Sequence, residues 1–270
     1  DSGIFTTTEG TGAGGNIFVN ANTVTLQNGG ALSAATSGTA STATGGTIMV
    51  EANQVQLNNG GLITASATGT GAGGSITIGA GSTFVSNAST VSSTATQAQG
   101  GNINISAGQS VSLNNGSSIS ANSSGPGNAG NILINAGQNY RSTDSAVTTQ
   151  AAQASGGNIT VLATDRVQLT NSQLNASVQG SSTTVGGNIR IDPQYVIFQN
   201  SQILAQATQG QGGAISINIT NGGLYLPDAN STVSASSKFG VNGTVTIQSP
   251  NAPASGKIQP LGKSPLLATS

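Results

Sequence analysis

Seven side chains hold most of the acid, base and ion-pairing capacity of this chain: Glu51, Arg141, Asp144, Asp165, Arg166, Arg190 and Asp192. Cleavage of a polysaccharide would need carboxylates, or a carboxylate with an Arg or Lys base, converging on one face. The 270 residues include no His and no Cys, which removes His- and Cys-based nucleophiles and the usual zinc ligands. Calcium-binding repeats of the aspartate-rich kind need several oxygen ligands per turn, and carboxylates this sparse do not supply them. No catalytic, cofactor or metal residue is therefore assigned. The three tyrosines, Tyr140, Tyr195 and Tyr225, are candidate glycan contacts, because a phenol ring offers an apolar face and a polar tip.

The background against which these residues stand is nearly neutral. Forty glycines accompany six Lys plus Arg and seven Asp plus Glu, for a formal net charge of -1. A charge so small gives no reason to expect a nucleic acid or an anionic membrane as partner. No stretch approaches the roughly 18 apolar residues of a membrane-spanning helix, and the opening DSGIFTTTEG has neither a basic region nor an apolar signal segment.

What positions the sparse chemistry is a repeat. Glycines before each Ile-x-Ile/Val fall at Gly15, Gly46, Gly74, Gly101, Gly130, Gly157, Gly187, Gly213 and Gly243, spaced by 26 to 31 residues. Two and four residues beyond each stands Ile or Val, without exception, from Ile17 and Val19 to Val245 and Ile247. That is the alternation of a short strand with one buried face. A second strand follows as VTL (24–26), VQL (55–57), VSL (111–113) and VQL (167–169), with weaker versions at Thr83–Val85, Tyr140–Ser142, Val196–Phe198 and Leu224–Leu226. A third ends on a small residue, as in LSA (32–34), ITA (63–65), ISA (119–121) and LNA (174–176), so one corner of the cross-section must be tight. Three short strands per repeat predict an all-β, single-stranded, right-handed parallel β-helix of about nine coils, a rod about 40 Å long.

After the second strand comes Asn28, Asn59, Asn87, Asn115, Asp144, Asn171, Asn200 or Asp228. This row reads as a structural ladder at a tight corner, with side chains bonding along the stack and tolerating positive φ. A second row, Asn16, Asn102, Asn131, Asn158 and Asn188, follows the anchor glycine and is replaced by Thr, Ser or Ala in other coils, which reads as a stacking position with slack. Between the third strand and the next anchor lie polar, unpatterned loops of unequal length, expected along one edge of the rod. Counted from their anchors, Asp192 lies five residues on, Asp165 eight, Arg166 nine and Arg141 eleven; these differing offsets place the charged residues at different corners or levels. The outward residues between paired Ile/Val run Phe18, Met49, Thr77, Asn104, Leu133, Thr160, Arg190, Ser216 and Thr246, too irregular for a flat ice-binding threonine array.

The pattern divides the chain into a rod over residues 1–248 and a Pro-containing tail, 249–270, expected to cap the last coil. Gly3 to Thr7 matches the third strand of a preceding coil, so further coils are expected before Asp1.

The phrase GGNIxI…VxLxNGGxLxAxxxG, seen at Gly14–Ala34 and Gly45–Ala65, resembles the filamentous-haemagglutinin-like exoproteins of Gram-negative bacteria. The ending FGVNGTVTIQSP (239–250), followed by PLG (260–262), is similar to the close of such rods. The resemblance implies a secreted or cell-surface rod exported by two-partner secretion, with an outer-membrane secretion partner, and used in adhesion to cells, matrix or glycans. The family's NPNG- or NPNL-like secretion motifs are not present, and no binding residue can be carried over. The expected function is a non-enzymatic, monomeric adhesin or surface rod without a cofactor. Its alternatives are a structural spacer without ligand and a polysaccharide-degrading β-helix enzyme.

Overall fold

The structure, a computed structural model, describes residues 2–220 and 222–249. The chain is a single-stranded parallel β-helix: every strand pairs in parallel with its equivalent one coil away. Eight coils are complete. Gly3–Phe5 belongs to the coil before them, and Thr244–Gln248 opens the ninth. Most of the expected 249–270 cap lies outside the described residues.

Three faces carry the strands. Face one holds Ile103–Ala107, Ile132–Asn135, Ile159–Leu162, Ile189–Asp192, Ala214–Asn218 and Thr244–Gln248. Face two holds Ser110–Asn114, Asn139–Thr143, Arg166–Thr170, Tyr195–Gln199 and Leu224–Pro227. In the first three coils the two faces are one bent strand each, Ile17–Gln27, Ile48–Asn58 and Ile76–Asn87, where two separate strands were expected. Later coils break at this corner for local reasons: Gly137 takes φ 61° in coil five, and Pro193 in coil seven has no N–H to donate. Face three runs from Gly3–Phe5 through Ala31–Ser33 to Thr232–Ser234 in nine three-residue strands.

The alternating Ile and Val fill the interior. From coil two to coil eight all of them are at most 1% exposed, and each contributes about 1.5–3 kcal/mol by leaving water. Val245 and Ile247, with no described coil above them, are 44% and 40% exposed. On face two the inward columns are Val24, Val55, Phe84, Val111, Tyr140, Val167, Val196 and Tyr225, each followed two residues later by the second inward residue. Where the first is Phe84 or Tyr140, the second is Ser86 or Ser142 instead of Leu, so a large and a small side chain replace two medium ones and the filled volume is kept.

Two expected strands are off by one. In coil three Phe84 and Ser86 face inward, in place of Thr83 and Val85, because an extra residue enters as a bulge opposite Asn53. In coil eight Tyr225 and Pro227 take the inward register in place of Leu224 and Leu226, which are 40% and 49% exposed. A one-residue slip exchanges the two faces of a strand.

The tight corner has a direct cause. Each anchor glycine N–H crosses the base of the preceding loop to the carbonyl of the small residue ending face three: Gly46 to Ala34, Gly74 to Ala65, Gly130 to Ala121 and Gly213 to Ala205, each at 2.7 Å. A Cβ on Gly157 would run into the Gly130 carbonyl oxygen, and one on Gly130 into that of Gly101. The column is glycine because backbone from adjacent coils meets there.

The loops are not wholly unpatterned. Two residues after the end of face three, one residue per coil makes a single parallel bridge: Thr8, Thr36, Ala67, Ala95, Ser123, Ala151, Val178, Ala207 and Ser237. Beneath this fourth ladder Ala129, Ala151, Val178 and Ala207 form a small apolar cluster separate from the main core.

Candidate functional site

The corner between face three and the fourth ladder is concave, because the chain turns outward into each loop straight after the bridge residue. The outward residues there are Asn122, Gln150, Ser177, Gln206 and Ser236, one per coil. With Asn175, Gln179, Thr208 and Lys238 they line a groove of about 740 Å³. It crosses five coils and so runs about 20 Å along the rod at the usual strand spacing.

Part of the groove's polarity is already engaged. The Asn122 side-chain oxygen accepts the Gln150 N–H at 2.7 Å, and Ser177 Oγ accepts the Gln206 N–H at 3.1 Å. Gln206 Nε2 donates to Ser234 Oγ at 2.9 Å. These bonds fix the amide planes and leave Asn122 Nδ2, Gln206 Oε1 and the whole Gln150 amide turned to the groove without a described partner. The groove has no carboxylate in its lining, and its one charge, Lys238, stands at one end with its ammonium 5.0 Å from the Phe239 ring centroid. Such a surface makes many neutral hydrogen bonds to hydroxyls and offers no acid–base pair.

The tyrosines divide. Tyr140 is 0% exposed in the inward column of face two, which rules it out as a glycan contact: period-two placement turns its ring into the core. Burial pushes its phenol pKa well above the ordinary 10.0, and the Ser142 hydroxyl lies on the same inward side of the strand. Both hydroxyls are buried without a hydrogen-bond partner. Tyr225 is also in the inward column, half-buried, its ring edge-on to Phe198 at 5.6 Å between centroids, and burial raises its pKa. Tyr195 alone takes an outward position, in register with Arg166.

The Asn row is a row of left-handed residues with two departures. Asn28, Asn59, Asn115, Asp144, Asn171 and Asn200 have φ between 47° and 54°. In coil three that conformation falls on Ala88 (φ 47°) and not on Asn87, which the bulge shifts into register with Asn58. In coil eight Asp228 sits outside the row as a turn cap, its carboxylate accepting from Ser231 Oγ at 2.7 Å and from the Asn200 N–H at 2.9 Å. Those bonds, the Ser231 bond first, hold its carboxyl below the usual range. Side-chain bonds along the row join Asn115 to Asn87 (2.6 Å), Asn171 to Asp144 (2.9 Å) and Asn200 to Asn171 (2.9 Å).

The buried ladder at this corner is made by serine, one residue further on. Ser172 Oγ accepts the Ser145 N–H, Ser201 Oγ the Ser172 N–H and Ser231 Oγ the Ser201 N–H, each at 3.1 Å. Ser145, Ser172 and Ser201 also donate to the carbonyl two residues back at 2.8 Å. Near the anchor glycines the second Asn row does similar work in solvent: the side-chain oxygens of Asn102, Asn131, Asn158 and Asn188 accept the N–H of the next coil at 2.9–3.0 Å.

Of the charged candidates, Arg190 and Asp192 pair with each other, Nε to Oδ2 at 2.7 Å, and the guanidinium pKa is raised by that partner. Asp144 accepts from Asn171, and Glu51 lies over Gly79. Arg141 and Arg166, expected at different corners or levels, are on different levels of one face, both on the outward side of adjacent face-two strands. Their offsets differ by two residues, and an even difference along strands in register keeps both on one face. Among the described residues no group of three or more His, Cys, Asp or Glu could hold a metal ion, and no helix is long and apolar enough to cross a membrane.

Comparison with protein-family models, with curated proteins and with solved structures gives no match. The functional reading therefore stands on the residues themselves.

Proposed function

We propose that this chain is a segment of a non-enzymatic, monomeric extracellular adhesin or surface rod, and that it binds neutral polysaccharide along the groove of Asn122, Gln150, Ser177 and Gln206. The observation that carries the reading is a 740 Å³ groove with amides and hydroxyls in every coil and no carboxylate. One coil of a parallel β-helix advances by about 4.8 Å, close to the advance of an extended glycan per sugar. Many weak, evenly spaced hydrogen bonds then add along the chain. The near absence of charge, six cations against seven anions, suits contact with uncharged surfaces. Placement outside a bacterial cell, with an outer-membrane secretion partner of the two-partner kind, is proposed on the sequence resemblance to filamentous-haemagglutinin-like rods.

A glycan array with the purified chain, repeated with Gln150→Ala and Gln206→Ala, tests this reading. Binding of linear neutral glycans that each variant weakens about threefold to tenfold, one hydrogen bond being worth about 1 kcal/mol, is the expected result. No binding to any glycan would leave a spacer, and shortened glycan products would establish the enzyme.

A further inference from the structure

Among the described residues, cations other than Arg190 and Lys238 are confined to one place. Arg141, on strand Asn139–Thr143, and Arg166, on strand Arg166–Thr170, stand on adjacent coils of face two and both point outward. With Ser112, Asn139 and Gln168 they line a hollow of about 220 Å³, floored by the buried Tyr140. Arg166 Nη2 reaches Asn139 Oδ1 at 3.4 Å. The Arg141 guanidinium, on a strand whose backbone is paired on both sides, makes no hydrogen bond or ion pair to any described residue. Asp165 precedes Arg166 but makes no ion pair with it, and the Asp144 carboxylate accepts from Asn171 at 2.9 Å; the one ion pair among the described residues is Arg190 with Asp192. Arg141 is in register with Gln168 and Arg166 with Asn139, so the two guanidinium groups lie on a diagonal across adjacent strands, where like charges repel and an anion between them relieves the repulsion.

We infer that this hollow is a second glycan subsite, separate from the neutral groove, and that it takes the ring carboxylate of a uronic-acid residue between Arg141 and Arg166. The planar guanidinium fork matches a planar carboxylate, to which it donates two parallel hydrogen bonds. In register with Arg166 one coil further on is Tyr195, half-buried and on the outward side, placed for its ring to meet the apolar face of the neighbouring sugar. Asn139 and Gln168 supply neutral donors and acceptors for hydroxyls. The subsite rests on the proposal that this rod binds glycans and adds the class of sugar: acidic, carboxylate-bearing and held at its charge.

Titration calorimetry of the intact chain with an oligogalacturonide, a neutral gluco-oligosaccharide and a sulfated oligosaccharide of equal length tests it, with the Arg141→Gln/Arg166→Gln variant in parallel. Both arginines are exposed, and circular dichroism checks that the variant is folded. The expected result is tighter binding of the oligogalacturonide than of the other two at low salt. That preference weakens as salt rises and falls about tenfold or more in the double variant, while the neutral oligomer binds both proteins alike. Equal affinity for acidic and neutral oligomers, or an acidic affinity that survives the double variant, overturns the subsite and leaves the neutral groove standing. Preference for the sulfated oligomer overturns the carboxylate assignment, and failure of all three sugars to bind removes the glycan reading with it.

Discussion

Asn171 and Ser172 are neighbours with unequal tasks. Asn171 is exposed, holds φ 49° and donates to Asp144 from outside the core, whereas Ser172, 4% exposed, accepts the buried Ser145 N–H and donates to the Thr170 carbonyl. Ser172→Ala should cost about 1–3 kcal/mol because it strands a buried donor, and Asn171→Gly a few tenths at most; urea titration of both variants decides the order. Among the described residues Ala88 is the one other than Asn, Asp or Gly with positive φ. Replacing it with Gly should stabilise the rod by about 0.5–1 kcal/mol, and a loss on the same titration would contradict the left-handed assignment. Tyr140 has a buried, unpartnered hydroxyl and a raised pKa. The native state therefore keeps a proton that the unfolded chain gives up above the ordinary 10.0, so stability is full below that pH and declines above it. Tyr140→Phe should remove this share of the alkaline loss and leave the protein no less stable at neutral pH, as followed by circular dichroism from neutral to alkaline pH. The asparagines were easy to read in the sequence because Asn before Gly or Ser marks a turn. The serine ladder was not, since Ser is common throughout and its burial follows only from the stacking of the corner.

At the level of the coil, glycine and register explain what could be read and what could not. Ile-x-Ile/Val two residues past a glycine showed face one directly, because alternation at a fixed distance from a close backbone approach leaves one choice of face. Thr83–Val85 and Leu224–Leu226 mislead because an odd number of residues added at the preceding corner, one in coil three and three in coil eight, changes which face is buried without changing composition. The fourth ladder escaped notice because a single bridged residue per coil has no alternation to detect, although a small residue does stand two positions after Ala34, Ala65, Ala121, Ala176 and Ala205. The groove depends on that ladder and is equally silent in the sequence, and the arginine pair is concealed because unequal offsets suggest different corners or levels, whereas an even offset on neighbouring strands in register keeps one face. Gly157→Ala should destabilise by about 1–3 kcal/mol through its contact with the Gly130 carbonyl. Removing residues 39–42 from the loop between Ala34 and Gly46, whose ends are already joined by a 2.7 Å hydrogen bond, should change stability by less than about 1 kcal/mol. Thermal melts of the two variants should separate clearly; equal losses would mean that the loops, and not the glycine column, hold the coils in place.

Across the whole rod each coil touches mainly the coils on either side, so stability and ligand contact both accumulate along one axis. That geometry sets the proposed binding mode apart from a single deep pocket: the groove repeats its chemistry in Asn122, Gln150, Ser177, Gln206 and Ser236, and affinity should follow the number of coils a ligand spans. The most direct measurement is therefore the affinity of the intact chain for linear neutral oligosaccharides of increasing length, read by titration calorimetry with product analysis on the same samples. The account predicts affinity that rises with each added sugar, levels off once the ligand covers the five coils of the groove, and leaves the sugars uncut. Affinity independent of length, no binding at any length, or cleavage of the ligand would contradict it.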